Sequence, residues 1–290
     1  MEKPPSASSP RRQFMRGAYI LARRYLRHQV GMRSAALAFY LLFAIFPILI
    51  FISSMVGLLH ADIEEELVRL AEFLPNSVLM IIRRYLTFVA ANPSPRLLTF
   101  GLVFSVYFPF RAANALMHSV RKAYRLGPPA AAFGQFLKTL LYTVLLTVGI
   151  VLTVALMTVS NRLLAWAVEN LRLPVFAAEL WEALRFPVIA LIGFSALFAL
   201  YALAQDGAVR PRDIWPGTLA ALFGWLSVSW LYTFYVNRIA RYSLLYGSLG
   251  TMMVLLIWLN LSAMVLILGA ELNGTLISLR KERISGETPL

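Results

Sequence analysis

The chain has 290 residues, of which 59% are apolar and only 14% charged, and its formal net charge is +13 at pH 7. With a mean hydropathy of +0.70, this composition lies outside the usual range of soluble domains. The absence of cysteine excludes disulfides and thiolate metal sites. We therefore predict an integral membrane protein.

The first 33 residues form a predicted basic tail that contains an amphipathic helix. Apolar residues recur at steps of three and four along one side of that helix, at Phe14, Ala18, Leu21, Ala22 and Tyr25. The opposite side carries Arg12, Arg16, Arg23 and Arg27. This pattern predicts a helix that lies on an anionic inner leaflet and contacts its lipids through these arginines. A target helix for a signalling partner is the alternative.

Six apolar segments follow, each long enough to cross a bilayer core of about 30 Å. They indicate an all-α polytopic membrane protein whose membrane domain covers residues 34–277, with a short tail at 278–290. The predicted spans are 34–59, 97–120, 136–159, 186–205, 214–236 and 249–277. The loops 60–96 and 160–185 are amphipathic and are predicted to be structured, as interfacial helices or as a lid.

Basic residues favour one orientation of these spans. If the N-terminal tail is cytoplasmic, the inside segments hold most of the 27 lysine and arginine residues. An even number of spans then places both termini in the cytoplasm. We predict a multi-pass protein of the bacterial inner membrane, and we attribute the net charge to anionic lipid rather than to nucleic acid.

Small residues at four-residue spacing mark the last two predicted spans. The pairs are Gly217 with Ala221, Ala220 with Gly224, and Ala270 with Gly274. Small side chains let helix backbones approach closely in membranes. We therefore expect these faces to pack against neighbouring helices.

Two ionisable residues lie well inside the predicted spans rather than near their ends, Arg111 and Glu271. Each costs roughly 2.5–3.5 kcal/mol to insert, so both are expected to face the protein interior. In the predicted topology they lie at similar depth, about 9–14 Å from the inner boundary at 1.5 Å per residue. We expect them to pair.

Further polar residues share these faces. Tyr107, Arg111, Asn114 and His118 recur at steps of three and four, and Asn260 lies three turns before Glu271. One interpretation is a buried ion pair that only fixes helix register. The other is a binding site in which Arg111 holds an anionic headgroup, Asn114 and His118 donate hydrogen bonds, and Glu271 supplies the counter-charge.

Catalytic and cofactor motifs are absent from the sequence. It contains no HExxH, GxSxG, P-loop or GxGxxG pattern, and the topology keeps its three histidines, His28, His60 and His118, apart. We predict no cofactor, no metal site and no enzymatic activity.

The longest sequence patterns resemble the YihY/virulence factor BrkB family of bacterial inner-membrane proteins, once mislabelled as ribonuclease BN. The similar stretches are "SAALAFYLLFAIFPILIFISSMVGLL" (34–59), "RAANALMHSVRKAY" (111–124), "WPGTLAALFGWLSVSWLYTFYV" (215–236) and "YSLLYGSLGTMMVLLIWLNLSAMVLILGAELN" (242–273). The resemblance implies six helices with both termini in the cytoplasm. The family pattern has Tyr where this chain has Asn260, which makes Asn260 a weaker candidate than Glu271.

Three classes of function fit these patterns. The favoured one is binding or translocation of an anionic lipid or amphiphile in envelope maintenance. A second copy of this chain, in a homo-oligomer, is the protein partner that we consider. A non-transporting envelope scaffold or assembly factor, acting through the outer loops, is the alternative. A membrane-bound ribonuclease is the least favoured.

Overall fold

The computed structural model describes residues 10–59, 95–129, 131–158, 176–238 and 242–285. This part of the chain contains seven α-helices and no strand. In chain order they are α1 (Pro10–Arg27), α2 (Val30–Leu59), α3 (Pro95–Ala123), α4 (Ala132–Thr158), α5 (Phe176–Leu203), α6 (Pro211–Arg238) and α7 (Tyr242–Ser285).

Six of these helices, α2 to α7, are long and apolar enough to cross a membrane, which confirms the predicted all-α class with six spans. The helix α7 has 44 residues, and at 1.5 Å per residue a helix of that length measures about 66 Å, well beyond a bilayer core. The helix α5 begins at Phe176, within the predicted loop 160–185. The predicted loop structure at 60–94 and 159–175 lies outside the described residues.

The described helices divide into two compact units. The first contains Met1–Ala38, Asn114–Tyr142 and Gly193–Leu290, and the second contains Phe39–Ala113 and Thr143–Ile192. In the first unit the core is built from fully buried side chains of several helices, including Val30, Met117, Leu200, Ile214 and Ile267.

The closest packing in the first unit joins α6 to α7 through small residues, as predicted. A Cβ atom added at Gly269 would lie 2.6 Å from the Cβ of Ala221, and one added at Gly217 would overlap the backbone oxygen of Gly269. Only hydrogen at these positions permits this approach. At the far side of α7, a Cβ at Gly274 would overlap the backbone oxygen of Ala123.

A buried amide fixes the register of α6 and α7. The Asn273 Oδ1 atom accepts a hydrogen bond from the Gly217 backbone N–H at 2.6 Å, and its Nδ2 donates to the Ile214 carbonyl at 2.8 Å. The same Nδ2 donates to the Tyr124 hydroxyl at 3.1 Å. Burial raises the pKa of Tyr124 to about 12, so the hydroxyl stays protonated at neutral pH. Asn273 thus joins α6, α7 and the segment that follows α3.

The first helix packs along α7, a contact that the sequence patterns did not predict. Its contacts run through Gly17, Arg24, Tyr25 and His28; Tyr25 belongs to the predicted apolar face, while Ala18 and Ala22 of that face are exposed. Polar partners on α7 attract Arg24 and His28, so the packed face is not purely apolar. The predicted contact of α1 with an anionic leaflet stays a prediction. Large apolar side chains remain exposed at Met15, Tyr19 and Leu26.

The second unit contains a run of aromatic contacts between α2 and α3. The ring centroids of Phe39 and Phe43 lie 4.4 Å apart, and those of Phe43 and Phe108 lie 5.7 Å apart. Arg111 ends this run, with its guanidinium 5.3 Å from the Tyr40 ring centroid. Large apolar rings on both helices stay exposed, as expected for surfaces that meet lipid.

Candidate anion-binding site

Glu271, on α7 in the first unit, is buried to 1% exposure and contacts Arg24 of α1 and His28, which directly follows α1. Its Oε1 lies 2.5 Å from His28 Nδ1, and its Oε2 lies 3.7 Å from an Arg24 guanidinium nitrogen. A carboxylate at such a position must be balanced, because leaving a buried charge unpaired costs several kcal/mol. Arg24 supplies the opposite charge and His28 supplies a hydrogen bond.

Arg24 is 4% exposed and holds three helices together. It donates to the Ala123 carbonyl at the end of α3 at 3.1 Å and to the Ser278 hydroxyl on α7 at 2.7 Å. Burial lowers the pKa of Arg24 from its ordinary value, and the adjacent Glu271 opposes that shift. Because a guanidinium keeps its proton in proteins, Arg24 places a positive charge beside Glu271.

The residues that follow Ala123 form the next part of the site. The Leu126 N–H bonds to the Arg121 carbonyl and the Arg125 N–H to the Lys122 carbonyl, both at 3.0 Å. This is the Schellman pattern of a helix C-terminus, and it places Arg125 in the left-handed region with φ of +56°. Glycine is the usual residue at that position, so an arginine there is uncommon. The turn brings the Arg125 side chain to the same wall as Lys122.

A cavity of about 760 Å³ lies between the end of α1 and the end of α3 in the first unit. Its lining includes six basic side chains and no carboxylate, and the rest of the lining comes from residues 126–129. The basic residues are Arg27, His28, His118, Arg121, Lys122 and Arg125. Four guanidinium or ammonium groups that converge in this way create a strongly positive potential.

Among the cations of the lining, Arg121 has an acidic partner. Arg121 forms an ion pair with Asp206, which also pairs with Lys138 on α4. Arg121 also donates to the Ala204 and Gly127 carbonyls at 3.0 and 2.9 Å. Among the described residues, no carboxylate lies within ion-pair distance of Arg27 or Lys122. The cavity therefore keeps a surplus of positive charge.

The structure distributes the predicted site residues over the two units. In the second unit, Arg111 is exposed and donates to the Tyr40 hydroxyl at 3.1 Å, and Tyr107 is exposed as well. In the first unit, His118 lines the cavity and its Nδ1 lies 2.9 Å from the Asn114 carbonyl. The Asn114 backbone carbonyl thus holds the His118 ring, and the donor role of the Asn114 side chain stays a prediction.

The prediction that Arg111 pairs with Glu271 needs a correction. The ion pairs of the described residues join Glu271 to Arg24 and His28 instead. The prediction failed because it placed every charge of α1 at the membrane surface, whereas α1 packs against α7 and neutralises the carboxylate there.

Sequence reasoning missed Arg24, Lys122 and Arg125. One signal for Arg24 was available, since it stands outside the basic face and shares the Gly17 side of α1 with His28, at four-residue spacing. For Arg125 no such signal exists, because the local sequence does not indicate that its backbone adopts the left-handed conformation.

Comparison with known proteins agrees with the sequence patterns. Residues 21–288 match the family described as "Virulence factor BrkB". The chain belongs to the BrkB family. This confirms the resemblance that the stretches at 34–59, 111–124, 215–236 and 242–273 indicated. No solved structure matches the chain.

Relatives of this BrkB-family chain carry different names. It is 30% identical over 273 residues to the ribonuclease-like protein YfkH of Bacillus subtilis, covering 92% of this chain and 96% of YfkH. It is 25% identical over 264 residues to a UPF0761 membrane protein of Xanthomonas campestris, covering 90% of this chain and 60% of that protein. A UPF0761 membrane protein of Pelodictyon phaeoclathratiforme is 29% identical over 255 residues, covering 85% of this chain and 56% of that protein. The BrkB-family chain thus spans about three fifths of the UPF0761 relatives.

The described part of this BrkB-family chain contains no group of three or more His, Cys, Asp or Glu residues that could hold a metal ion. Three neutral or anionic ligands are the usual minimum for a catalytic metal. The chemistry that the cavity offers is the binding of anions.

Proposed function

We propose that the protein binds the phosphate headgroup of an anionic amphiphile in the cavity between α1 and α3. The observation that carries this proposal is the lining of six basic side chains without a carboxylate. Arginine and lysine bind phosphate through charge-assisted hydrogen bonds, which are about twice as strong as neutral ones. Arg27 and Lys122, which have no carboxylate partner among the described residues, would be the principal contacts.

The amphiphile is argued from the surroundings of the cavity. The helices α2 to α7 present large apolar side chains on their surfaces, and six of the helices have the length and composition of membrane spans. A phosphate bound at the end of α3 would leave its acyl chains beside apolar helix surface. We propose an inner-membrane location with the cavity and both termini on the cytoplasmic side, since the basic residues concentrate there.

The outer face of α1 supports the same placement. Exposed apolar side chains at Met15, Tyr19 and Leu26 adjoin the exposed arginines Arg16, Arg23 and Arg27. Apolar and cationic groups on one exposed face are typical of helices that lie in the headgroup layer of an anionic membrane. Arg12, the fourth arginine of the predicted set, has a side chain outside the described residues.

Arg111 is proposed as a separate contact in the second unit. A guanidinium exposed within a membrane span needs a polar partner beyond the Tyr40 hydroxyl and ring. A lipid phosphate near Arg111 and Tyr107 would satisfy it. Substituting Arg111 with glutamine should therefore weaken lipid retention without affecting the cationic cavity.

Translocation of the bound amphiphile is the favoured use of such a site, and an envelope scaffold is the alternative. A scaffold needs no surplus charge inside a cavity, which is why the lining favours binding. We propose that the protein acts without catalysing a reaction.

The test is equilibrium binding of labelled phosphatidylglycerol to the purified protein in uncharged detergent, with phosphatidylcholine as the neutral comparison. A hydrogen bond to a charged group contributes about 1.5–3 kcal/mol, so Lys122→Gln and Arg27→Gln should each lower the affinity about 10-fold or more. The matched control is Arg212→Gln, an exposed arginine on α6 that does not line the cavity. Equal affinity for the two lipids, or equal loss in the control, would remove the proposal.

A further inference from the structure

Two imidazole rings line the cationic cavity, and in each the Nδ1 atom is already engaged. His118 Nδ1 lies 2.9 Å from the Asn114 backbone carbonyl, and His28 Nδ1 lies 2.5 Å from Glu271 Oε1. A carbonyl oxygen can only accept, so the His118 Nδ1 must carry a hydrogen. The Glu271 carboxylate, which pairs with Arg24, accepts in the same way.

These hydrogen bonds fix the tautomer of both rings. A neutral imidazole has one hydrogen, so with Nδ1 protonated its Nε2 presents a lone pair. A lone pair repels an anion. When the ring takes up a proton, Nε2 becomes an N–H donor and the ring gains a positive charge, so the same atom then attracts the anion.

The charged neighbours of the two rings come from every element around the cavity. Glu271 is the carboxylate in contact with His28, and it is not among the residues that line the cavity. The other charged groups around the cavity are Arg24 and Arg27 on α1, Arg33 on α2, Arg121 and Lys122 on α3, Arg125 after it, and Asp206, which pairs with Arg121. Further positive charge on the rings is therefore stabilised by an anion in the cavity.

We propose that anion binding in the cavity is coupled to proton uptake at Nε2 of His28 and His118. The inference rests on the proposed function, since it describes the same site. One proton from the solvent binds at each Nε2, and no covalent bond of the ligand changes. Glu271 acts as a positioning residue, because it orients the His28 ring and compensates its charge. The ligand class is a phosphate ester that accepts N–H hydrogen bonds.

The number of protons taken up on binding determines how strongly the anion affinity depends on pH. For each proton taken up on binding, the affinity falls up to about 10-fold per pH unit as the pH rises through the range in which histidine titrates. Two protons would give up to about 100-fold per pH unit over the same range. A cavity that used only its arginine and lysine side chains would show no such dependence near neutrality.

The experiment is calorimetric titration of the full-length protein with short-chain phosphatidylglycerol in two buffers of different ionisation enthalpy. A phosphodiester has no titrating group near neutral pH, so proton uptake measured with it belongs to the protein. We expect uptake approaching two protons in the wild type and about one fewer in His118→Gln. His118 is exposed, so this variant should fold. His28→Asn, which keeps a donor toward Glu271, should lose the other proton.

The outcomes are distinguishable. Identical binding heats in the two buffers would overturn the proton coupling while leaving the anion site intact. Unchanged proton uptake in either His118→Gln or His28→Asn would overturn the proton assigned to that ring, whereas loss of about one proton in each variant supports the proposal. Absence of any binding heat in both buffers would remove the proposed function itself. Titration with the deacylated headgroup, glycerophosphoglycerol, separates a lipid ligand from a free phosphodiester.

Discussion

His28 Nδ1 and Glu271 Oε1 lie 2.5 Å apart, and this hydrogen bond connects a fully buried carboxylate to the wall of the cationic cavity. The bond also joins the turn that follows α1 to α7, which are far apart in the sequence. Glu271, which in the sequence is an isolated charge in an apolar helix, therefore binds the end of the first helix to α7. We expect stability and the proposed anion binding in this region to depend on the same two side chains.

Removing the Glu271 carboxylate should destabilise the protein strongly. In Glu271→Ala the Arg24 guanidinium would remain buried without its counter-charge, a situation that costs about 3–5 kcal/mol. The measurement is thermal unfolding of the purified protein in detergent. The matched control is Glu282→Gln, which removes the partner of the exposed Arg16 and should cost less than about 1 kcal/mol.

The double variant Arg24→Met with Glu271→Leu should recover part of that loss, because it removes both buried charges together. Recovery will be incomplete, since Arg24 also donates to the Ala123 carbonyl and the Ser278 hydroxyl. A double variant that is no more stable than Glu271→Ala would contradict a buried charge pair.

Gly274 should not tolerate alanine. A Cβ there would overlap the Ala123 backbone oxygen and approach the Arg24 guanidinium, so α3 and α7 would have to separate. We expect a lower unfolding temperature and weaker anion binding, because the end of α3 carries the cavity. The control is Gly17→Ala, whose Cβ would meet Leu279 at an ordinary 3.8 Å. If both variants unfolded at the wild-type temperature, the close approach of α3 to α7 would be wrong.

The sequence predicted the parts of this fold that the bilayer dictates. Six spans follow from the length of apolar segments, and the close α6–α7 contact follows from small residues such as Gly217 and Ala221, because both are local properties of one helix. The partner of Glu271 could not be predicted in the same way. Charge periodicity identifies the face of α1 that carries most arginines, but the packed face is decided by the helix it meets.

The ion-pair cluster at Asp206 should make stability depend on pH in acid. The hydrogen bond from Lys138 is the largest of the influences that lower the pKa of Asp206 from its ordinary 3.8, and Arg121 adds to it while burial opposes it. A lowered pKa stabilises the fold above the ordinary value, and this contribution is lost as the pH falls below about 3.8 toward the lowered pKa.

The measurement for this cluster is the difference in unfolding temperature between the wild type and Asp206→Asn at several pH values. The wild type should be more stable at neutral pH, and the difference should shrink as the pH falls below the ordinary carboxyl pKa. A difference that stays constant down to strong acid would show that the carboxylate charge contributes nothing to the pairing.

The central claim, that the cavity holds a phosphate headgroup, is tested most directly by locating bound phosphorus. The chain has no cysteine, so Leu126→Cys in the cavity wall accepts a single spin label. The measurement is the paramagnetic broadening of the ³¹P signal of phosphatidylglycerol added in equimolar amount, in uncharged detergent. We predict strong broadening that exceeds that of phosphatidylcholine and disappears when the labelled protein also carries Arg27→Gln and Lys122→Gln. Equal broadening for both lipids, unchanged by those two substitutions, would contradict the claim.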